Sequence, residues 1–220
     1  MPFRNRKQAG ERLAEALRPW EKEAPVVIAL PRGGVDVALP VALRLKAPMT
    51  VMLVRKIGLP HQSEVAMGAV VDSDPPITIR NATVIAMAGV SAAMFDAVAE
   101  RELAEIRRRR ELYLAGRDTI DIKGRPVIVV DDGIATGATV RAAIRGLRAC
   151  GPSRIVLAVP VASQEAIALL GGDVDEIVVL EDLDPRGAVG FSYEDFPQLS
   201  DADVMAALDA ASRALREGEG

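Results

Sequence analysis

The chain has 220 residues, enough for one full α/β domain or two small ones. Half of the residues are apolar and only 3% are aromatic, so Val, Ile, Leu and Ala must build most of the core. The formal charge of −4 argues against a nucleic-acid partner, and the single cysteine, Cys150, excludes an intramolecular disulfide framework and suits a reducing cytosol. No apolar run approaches the ~20 residues of a membrane span, and the charged N-terminus lacks a signal core. We therefore expect a soluble, cytoplasmic protein with no membrane partner.

Five apolar, β-branched runs predict the strands of the protein. None of them alternates with polar residues, which is typical of strands buried on both faces of a parallel sheet. The runs are Val26 to Leu30, Thr50 to Val54, Pro126 to Val130, Arg154 to Val159 and Glu176 to Leu180. Helical stretches lie between them, at Val35 to Leu45, Ser91 to Leu114, Ala138 to Cys150 and Gln164 to Leu170. Strands that alternate with helices predict an α/β fold, here a doubly wound, mainly parallel five-stranded sheet in a single domain over residues 1–220.

Two regions interrupt this alternation and predict a small cap. Residues 66–87 contain Pro75-Pro76 and short extended runs, so we expect a hairpin-like excursion beside the main sheet. The stretch after Glu181 has little periodicity until Ser200, which we expect to cap a final helix from about Asp201 to Leu215. Cap elements are therefore expected within residues 60–88 and 182–199.

The segment VIVVDDGIATGATV, residues 127–140, carries the strongest functional signal. Asp131 and Asp132 follow a predicted strand, and open parallel sheets bind their ligands at the carboxyl ends of the strands. Gly133, Gly137 and Thr139 then bring backbone N–H and hydroxyl groups to the start of a helix, where the helix dipole favours an anion. Such a loop would hold a phosphate while the carboxylates accept hydrogen bonds from vicinal hydroxyls, with Mg²⁺ nearby. The pattern predicts a sugar-phosphate site.

Two other phosphate-binding motifs do not fit the segment. A P-loop requires Gly-Lys-Ser/Thr, and no lysine follows Gly137. The dinucleotide-binding fingerprint places its glycines before the acid, which follows about 20 residues later. Neither motif therefore explains a pair of acids that precedes the glycines.

The same segment resembles the phosphoribosyl pyrophosphate (PRPP) signature of type I phosphoribosyltransferases, which is a hydrophobic strand, two acids and then G-x-x-T-G-x-T. The resemblance covers roughly residues 3–210. It implies that Asp131 and Asp132 are catalytic residues that hold the ribose and favour positive charge near it. It also implies a loop for the 5′-phosphate of PRPP, formed by Gly133, Ile134, Ala135, Thr136, Gly137, Ala138 and Thr139.

The resemblance further implies a pyrophosphate loop after the first strand and a basic residue after the second. In ALPRGGVDVA the loop consists of Pro31, Arg32, Gly33 and Gly34. Arg32 offers a charged fork, and the two glycines let backbone amides approach an anion. In VRKIGLP, Arg55 and Lys56 fit the basic catalytic position electrostatically. Mg²⁺ is the implied cofactor and is held mainly by oxygens of PRPP rather than by the chain.

The chain is most similar to a bacterial subgroup described as predicted phosphoribosyltransferases, in which P-x-x-x-E-x-A-x-G-A follows the basic residue. Here the pattern reads Pro60, Glu64, Ala66, Gly68 and Ala69. The wider family carries its flexible catalytic loop at this place, and the loop is expected to be short in this chain.

The resemblance implies transfer of the 5-phosphoribosyl group from PRPP to a nitrogen heterocycle, such as a nucleobase, with release of pyrophosphate. The alternative is a regulatory or sensor protein that binds PRPP without transferring anything. The pyrophosphate loop and its basic neighbours favour the enzyme. A PRPP-making pyrophosphokinase would need an ATP site, which the sequence does not contain.

The acceptor base cannot be identified from the sequence, but a cluster of aromatic residues suggests where it would bind. Phe191, Tyr193 and Phe196 fall within AVGFSYEDFPQL, and one of them could stack on a planar base, although packing of the cap explains them as well. His61, beside the expected loop, is interpreted as a surface residue, and the run Arg107 to Arg110 as a solvated face that could alternatively place one cation over a phosphate. A homodimer is expected by analogy with the fold alone.

Overall fold

The computed structural model describes residues 2–73, 75–184 and 186–218, and for Ser63 and Glu64 it describes the backbone alone. The strands are β1 (Val26–Ala29), β2 (Met49–Val51), β3 (Val54–Leu59), β4 (Gln62–Val71), β5 (Ile77–Arg80), β6 (Pro126–Val130), β7 (Arg154–Ala162) and β8 (Glu176–Asp182). The α-helices are α1 (Arg6–Ala16), α2 (Gly34–Leu45), α3 (Ala82–Met87), α4 (Ala92–Leu114), α5 (Ala138–Ala149), α6 (Gln164–Leu170) and α7 (Asp201–Gly218). Short 3₁₀ helices span Arg18–Glu23 and Val189–Ser192.

The main sheet has five parallel strands in the order β2-β1-β6-β7-β8. Successive residues of β6 enter different cores: Ile128 and Val130 pack on the side of α1, α2 and α7, while Val127 and Val129 pack on the side of α5 and α6. Burial on both faces explains why the strands read as continuous apolar runs. The predicted α/β fold with a five-stranded parallel sheet is confirmed.

The predicted bounds of the main-sheet elements agree with the structure to within three residues, except at the second strand. β6 and α6 begin and end as predicted, and β7 continues to Ala162. The run predicted from Thr50 to Val54 is two elements, because β2 ends at Val51 and Val54 begins β3 in a different sheet. Apolar residues continue through Met52 and Leu53, which are both buried, so the composition does not reveal where the chain leaves the main sheet.

The excursion is a separate three-stranded antiparallel sheet in the order β3-β4-β5, followed by α3. It begins at Val54, so the predicted start at residue 66 was wrong by one strand. The excursion packs on α5 through a close contact, since a β-carbon on Gly146 would lie 2.4 Å from Cγ1 of Val71. β3 and β4 are joined by a tight turn at Pro60 and His61, and His61 is exposed.

The region 182–199 packs on the N-terminal segment, which the sequence did not predict. The backbone N–H of Phe3 donates to the carbonyl of Ser192 (2.8 Å), and that of Glu194 donates to the carbonyl of Phe3 (2.8 Å). α7 then begins after Ser200, whose hydroxyl accepts from the backbone N–H of Asp203 at 3.3 Å. The predicted cap at Ser200 is confirmed.

Candidate active site

The loops after β1 and β6 meet at the carboxyl edge of the main sheet. β1 and β6 are neighbouring parallel strands, and the N–H of Leu30 donates to the carbonyl of Val130 at 2.9 Å. Asp131 and Asp132 follow β6 directly, and Gly33 and Gly34 lie in the opposite loop. The structure therefore brings together two of the three segments that the sequence assigns to PRPP.

Gly33 and Gly34 allow this close approach because neither position has room for a side chain. A β-carbon on Gly33 would lie 1.9 Å from Oδ2 of Asp132, and one on Gly34 would lie 2.7 Å from the carbonyl oxygen of Val130. The peptide bond between Pro31 and Arg32, in the same loop, is cis. The glycines were predicted from a need for bare amides near an anion, and the structure adds contact with a carboxylate as a second reason.

The loop 133–139 leads into the N-terminus of α5 and is held from the side of β7. The N–H of Ile134 donates to the carbonyl of Val161 (2.9 Å), and the hydroxyl of Ser163 donates to the carbonyl of Ala135 (2.6 Å). Gly137 is the N-cap of α5 and has a φ of 76°, a left-handed conformation that glycine adopts without a steric penalty. Gly137 has no side chain to accept from the first amides of α5, and an uncapped helix start of this kind favours an anion.

The Gly133 position fixes the other side of this loop. A β-carbon there would lie 2.6 Å from Cγ1 of Val189 and 2.7 Å from Cγ2 of Val161. The loop thus packs closely between β7 and the 3₁₀ helix Val189–Ser192. Thr136, Ala138 and Thr139 are exposed, so the hydroxyls and amides at the helix start are accessible to a ligand.

Asp132 is held by hydrogen bonds from several elements. Its Oδ2 accepts a hydrogen bond from Nε of Arg6 at 2.9 Å, and its carbonyl oxygen accepts from the hydroxyl of Tyr193 at 2.5 Å. The backbone N–H of Asp132 donates to Oδ1 of Asp131 at 2.9 Å, which ties the two acids together. The structure thus holds Asp132 from the N-terminal helix, the cap and its neighbour.

Both carboxyl groups have raised pKa values. Burial raises the pKa of Asp131 well above its ordinary value, and the charge of Asp132 raises it further. Burial also raises the pKa of Asp132, but hydrogen bonding and charge attraction from Arg6 oppose that shift. Closely spaced carboxyl groups with raised pKa values in a cleft are typical of functional sites. A cationic ligand or transition state there would offset the free-energy cost of ionising them.

Arg32, in the loop after β1, faces the start of α7. Its Nη1 lies 4.0 Å from Oδ1 of Asp201 at the start of α7, and that oxygen accepts a hydrogen bond from the hydroxyl of Tyr113 at 2.5 Å. Burial and the hydrogen bond to Asp201 raise the pKa of Tyr113 to about 12. A guanidinium that is 4.0 Å from its partner, beyond hydrogen-bond distance, remains able to turn toward an anion.

Arg55 and Lys56 lie within β3, rather than in a loop after the second strand. Nε of Arg55 donates to Oε2 of Glu102 on α4 at 2.6 Å, so this guanidinium joins β3 to α4. Lys56 is exposed on the same strand. Their contact with pyrophosphate stays a prediction.

The predicted aromatic cluster divides into two residues that pack within the cap and one exposed residue. Tyr193 and Phe196 stack with centroids 4.9 Å apart, and Phe196 also lies under the guanidinium of Arg6 at 3.7 Å. Phe191 is 46% exposed, with the guanidinium of Arg186 at 4.2 Å from its ring. Packing of the cap therefore explains Tyr193 and Phe196, and Phe191 is the member available to a base.

The motif Pro60, Glu64, Ala66, Gly68 and Ala69 lies at the β3–β4 turn and along β4, and the side chain of Glu64 is outside the described part of the structure. A β-carbon on Gly68 would lie 2.4 Å from the carbonyl oxygen of Ile79 and 3.1 Å from the ring of Phe95. The small residue is needed for packing between β4, β5 and α4.

The arginine run on α4 is mainly engaged in ion pairs. Arg108 and Arg109 each donate to Glu105 (2.8 Å), and Arg110 donates to Asp72 (2.8 Å). Arg108 also lies 3.9 Å from Asp201, the acid beside Arg32. The predicted solvated face fits these contacts.

Two absences hold for the described residues. No group of three or more His, Cys, Asp or Glu side chains within residues 2–73, 75–184 and 186–218 could hold a metal ion. Of the helices in the same ranges, none combines the length and apolar character needed to cross a membrane.

Two contributions to the site were missed by sequence reasoning. Arg6 precedes Asp132 by 126 positions, and the charged segment around it gives no signal of a buried ion pair. The acid beside Arg32 is Asp201, which the sequence showed as an ordinary residue of a helix start. Such long-range pairs depend on tertiary packing and have no local signature.

Comparison with known proteins gives a consistent result. The family model described as "Phosphoribosyl transferase domain" matches residues 3–195. Two curated proteins of Mycobacterium tuberculosis, "Putative phosphoribosyl transferase Rv0571c" and "Putative phosphoribosyl transferase MT0597", are each 43% identical over 215 residues. The match covers 98% of this chain and 48% of theirs, so the chain spans about half the length of these curated relatives.

A solved structure is similar over almost its whole length. The protein TT1426 from Thermus thermophilus is 43% identical, and the two structures superpose with a TM-score of 0.81. The alignment covers 94% of this chain and 98% of that one. The fold is thus shared with a protein of matching size.

Proposed function

Because the chain belongs to the phosphoribosyltransferase family, we propose that it transfers the 5-phosphoribosyl group of PRPP to a ring nitrogen of a heterocyclic base. In this reaction the bond between C1 of the ribose and pyrophosphate breaks, and a bond between C1 and the nitrogen forms. Pyrophosphate leaves with the bonding electron pair, and the nitrogen loses its proton to solvent or a general base.

The observation that carries the proposal is the convergence of three features at one edge of the sheet. The first amides of α5, after Gly137, suit the 5′-phosphate, and Asp131 and Asp132 precede the same loop at the end of β6. The loop with Gly33 and Gly34 contacts those acids directly. The helix-start amides, the two acids and the glycine loop would bind the 5′-phosphate, the ribose hydroxyls and the pyrophosphate of PRPP, respectively.

The two carboxylates supply the electrostatic part of the reaction. Positive charge develops on the ribose as pyrophosphate departs, and a nearby negative charge stabilises that transition state. The pKa values of Asp131 and Asp132 are raised in the free protein by burial, so a cationic ribose would favour their charged forms. Arg32 would turn from Asp201 toward the leaving pyrophosphate.

Mg²⁺ is the cofactor that we propose, and oxygens of PRPP would mainly hold it. When bound, Mg²⁺ would neutralise charge on the leaving pyrophosphate.

A second function, PRPP binding without transfer, is favoured by one observation. Arg55, which the family resemblance places against pyrophosphate, is held by Glu102 at 2.6 Å, and Arg32 faces Asp201. In a sensor these cations would serve folding rather than catalysis. The acceptor base is also unassigned. Of the aromatic cluster Phe191, Tyr193 and Phe196, one side chain, that of Phe191, is exposed to stack on a base.

The test is release of pyrophosphate from PRPP and Mg²⁺ with purine and pyrimidine bases added singly. Release with one base, lost in D131N and D132N, would establish the transferase and identify its acceptor. PRPP binding by calorimetry without release for any base would support the sensor. Absence of both release and binding would contradict the assignment of the 131–139 loop.

A further inference from the structure

Arg6 contacts the proposed ribose site although it lies at the start of the N-terminal helix. Its side chain is 7% exposed, and its Nε donates to Oδ2 of Asp132 at 2.9 Å. A buried arginine that loses water must be compensated by good hydrogen bonds. The proposed transfer reaction gives Arg6 no role of its own.

Further contacts hold the guanidinium of Arg6 in a single orientation. Nη1 donates to the carbonyl of Pro197 at 2.7 Å, and the carbon of the guanidinium lies 3.7 Å from the centroid of the Phe196 ring. Phe196 in turn stacks on Tyr193, whose hydroxyl donates to the carbonyl of Asp132. Arg6 and Asp132 are therefore joined both directly and through the cap.

The contacts of Asp132 leave its carboxylate little freedom. Oδ2 accepts from Arg6 on one side, and on the other it lies 1.9 Å from where a β-carbon of residue 33 would be. The carboxylate thus touches α1 and the proposed pyrophosphate loop at the same time. Loss of the Arg6 contact would let it rotate or take up a proton.

We propose that Arg6 is a positioning residue, which holds Asp132 as a carboxylate in the orientation that the ribose of PRPP requires. This inference rests on the proposed function. It connects the N-terminal helix and the cap to ribose binding, and it gives the buried pair a purpose beyond stability. Arg6 acts through Asp132 and is not itself a catalytic residue.

Burial is the cause that raises the pKa of Asp132, and further acidic side chains lie near it. Asp131 is adjacent on the same loop, Asp36 lies on α2 within electrostatic range, and the hydroxyl of Tyr193 approaches from the cap. Asp203 of α7 adds a further negative charge beside Asp36. Among the described residues, Arg6 is the cation whose hydrogen bond and charge lower the pKa of Asp132 against the effect of burial.

The experiment measures PRPP affinity by calorimetry from about pH 5 to about pH 9 in wild-type, R6M and R6K proteins. R6M should bind PRPP at least about tenfold more weakly at neutral pH, with the loss growing toward acid pH as Asp132 takes up a proton. R6K keeps the positive charge but lacks the planar guanidinium. Its PRPP affinity should therefore follow the wild-type pH profile and fall by less than that of R6M. R12M is the matched control, since Arg12 is on the same helix in an exposed pair with Glu181 at 2.8 Å, and it should bind as the wild type does.

A comparison of R6M/D132N with D132N keeps the test valid if R6M alone fails to fold. The R6M/D132N protein contains no unpaired buried charge at these positions, and R6M should have little further effect on PRPP affinity in the D132N background. A further loss of PRPP affinity of about tenfold or more when R6M is added to D132N, or PRPP binding by R6M that matches the wild type at every pH, would overturn the inference alone. Absence of PRPP binding by the wild-type protein would overturn the proposed function together with it.

Discussion

Nη1 of Arg32 lies 4.0 Å from Oδ1 of Asp201, which joins the proposed pyrophosphate loop to the start of α7. Each side chain is 31% exposed, so water screens the pair and its strength is that of a surface ion pair, roughly 0.2–1 kcal/mol. Asp201 therefore keeps Arg32 near the site without binding it so tightly that an anion could not displace it.

D201N should raise the affinity for magnesium pyrophosphate. Removal of one competing negative charge beside Arg32 corresponds to an increase of about 1.5- to 5-fold, which calorimetry can measure. D209N is the control, because Asp209 lies on the same helix and pairs with Arg117 at 2.8 Å. Unchanged or weaker affinity in D201N would show that Asp201 does not compete for Arg32.

G33A should weaken PRPP binding while leaving the fold intact. The new β-carbon would lie 1.9 Å from Oδ2 of Asp132, so the carboxylate must move from its contact with Arg6. A rearrangement that costs about 1.4 kcal/mol lowers affinity tenfold. Calorimetry of G33A beside G172A checks this, because a β-carbon on Gly172 meets nothing within 4 Å. Equal PRPP affinities of the two variants would contradict the placement of Asp132.

D131N should be more stable than the wild type at neutral and alkaline pH. Burial and the charge of Asp132 raise the pKa of Asp131, so the folded chain binds protons more tightly than the unfolded chain and ionisation lowers the free energy of unfolding. Asparagine removes this cost, and a gain of about 1 kcal/mol would raise Tm by roughly 2–4 °C in a chain of this length.

The pH dependence of the stability gain in D131N shows whether the gain comes from removal of the Asp131 charge. The gain of D131N should shrink as pH falls through the raised pKa of Asp131, because the wild-type carboxyl is then already neutral. Thermal unfolding at several pH values measures it, and D118N serves as a control because Asp118 is exposed. A gain of equal size at every pH would mean that the charge of Asp131 is not its cause.

F191A should raise the KM for the acceptor base and leave PRPP affinity unchanged. Phe191 is 46% exposed, and loss of base stacking on an aromatic ring is worth about 1–3 kcal/mol. L112A is the control, since Leu112 is a 39% exposed apolar residue on α4. A KM that F191A does not change would assign the base to another surface.

The sequence predicted those parts of the fold and site that depend on local pattern. The β6 bounds and the cap at Ser200 follow from apolar patterning and from capping chemistry, which neighbouring residues determine. The five-stranded sheet followed from alternation of strands and helices.

The remaining features depend on contacts that no local pattern encodes. The departure of the chain from the sheet after Val51 occurs within a buried apolar stretch, so the excursion was predicted one strand too late. The pairing of Arg6 with Asp132 connects residues 126 positions apart, and composition around Arg6 suggests only a charged helix surface. Tyr193 was considered as a base-stacking residue, whereas the structure shows its hydroxyl donating to the carbonyl of Asp132.

The most direct test of the central claim is pyrophosphate release from PRPP and Mg²⁺ by the wild type, D131N and D132N with each base in turn. The proposal predicts release with one base and a loss of at least about 100-fold in both variants, in the range typical of removing a transition-state charge contact. Undiminished release in both variants would contradict the role of Asp131 and Asp132, and no release with any base would contradict transfer itself.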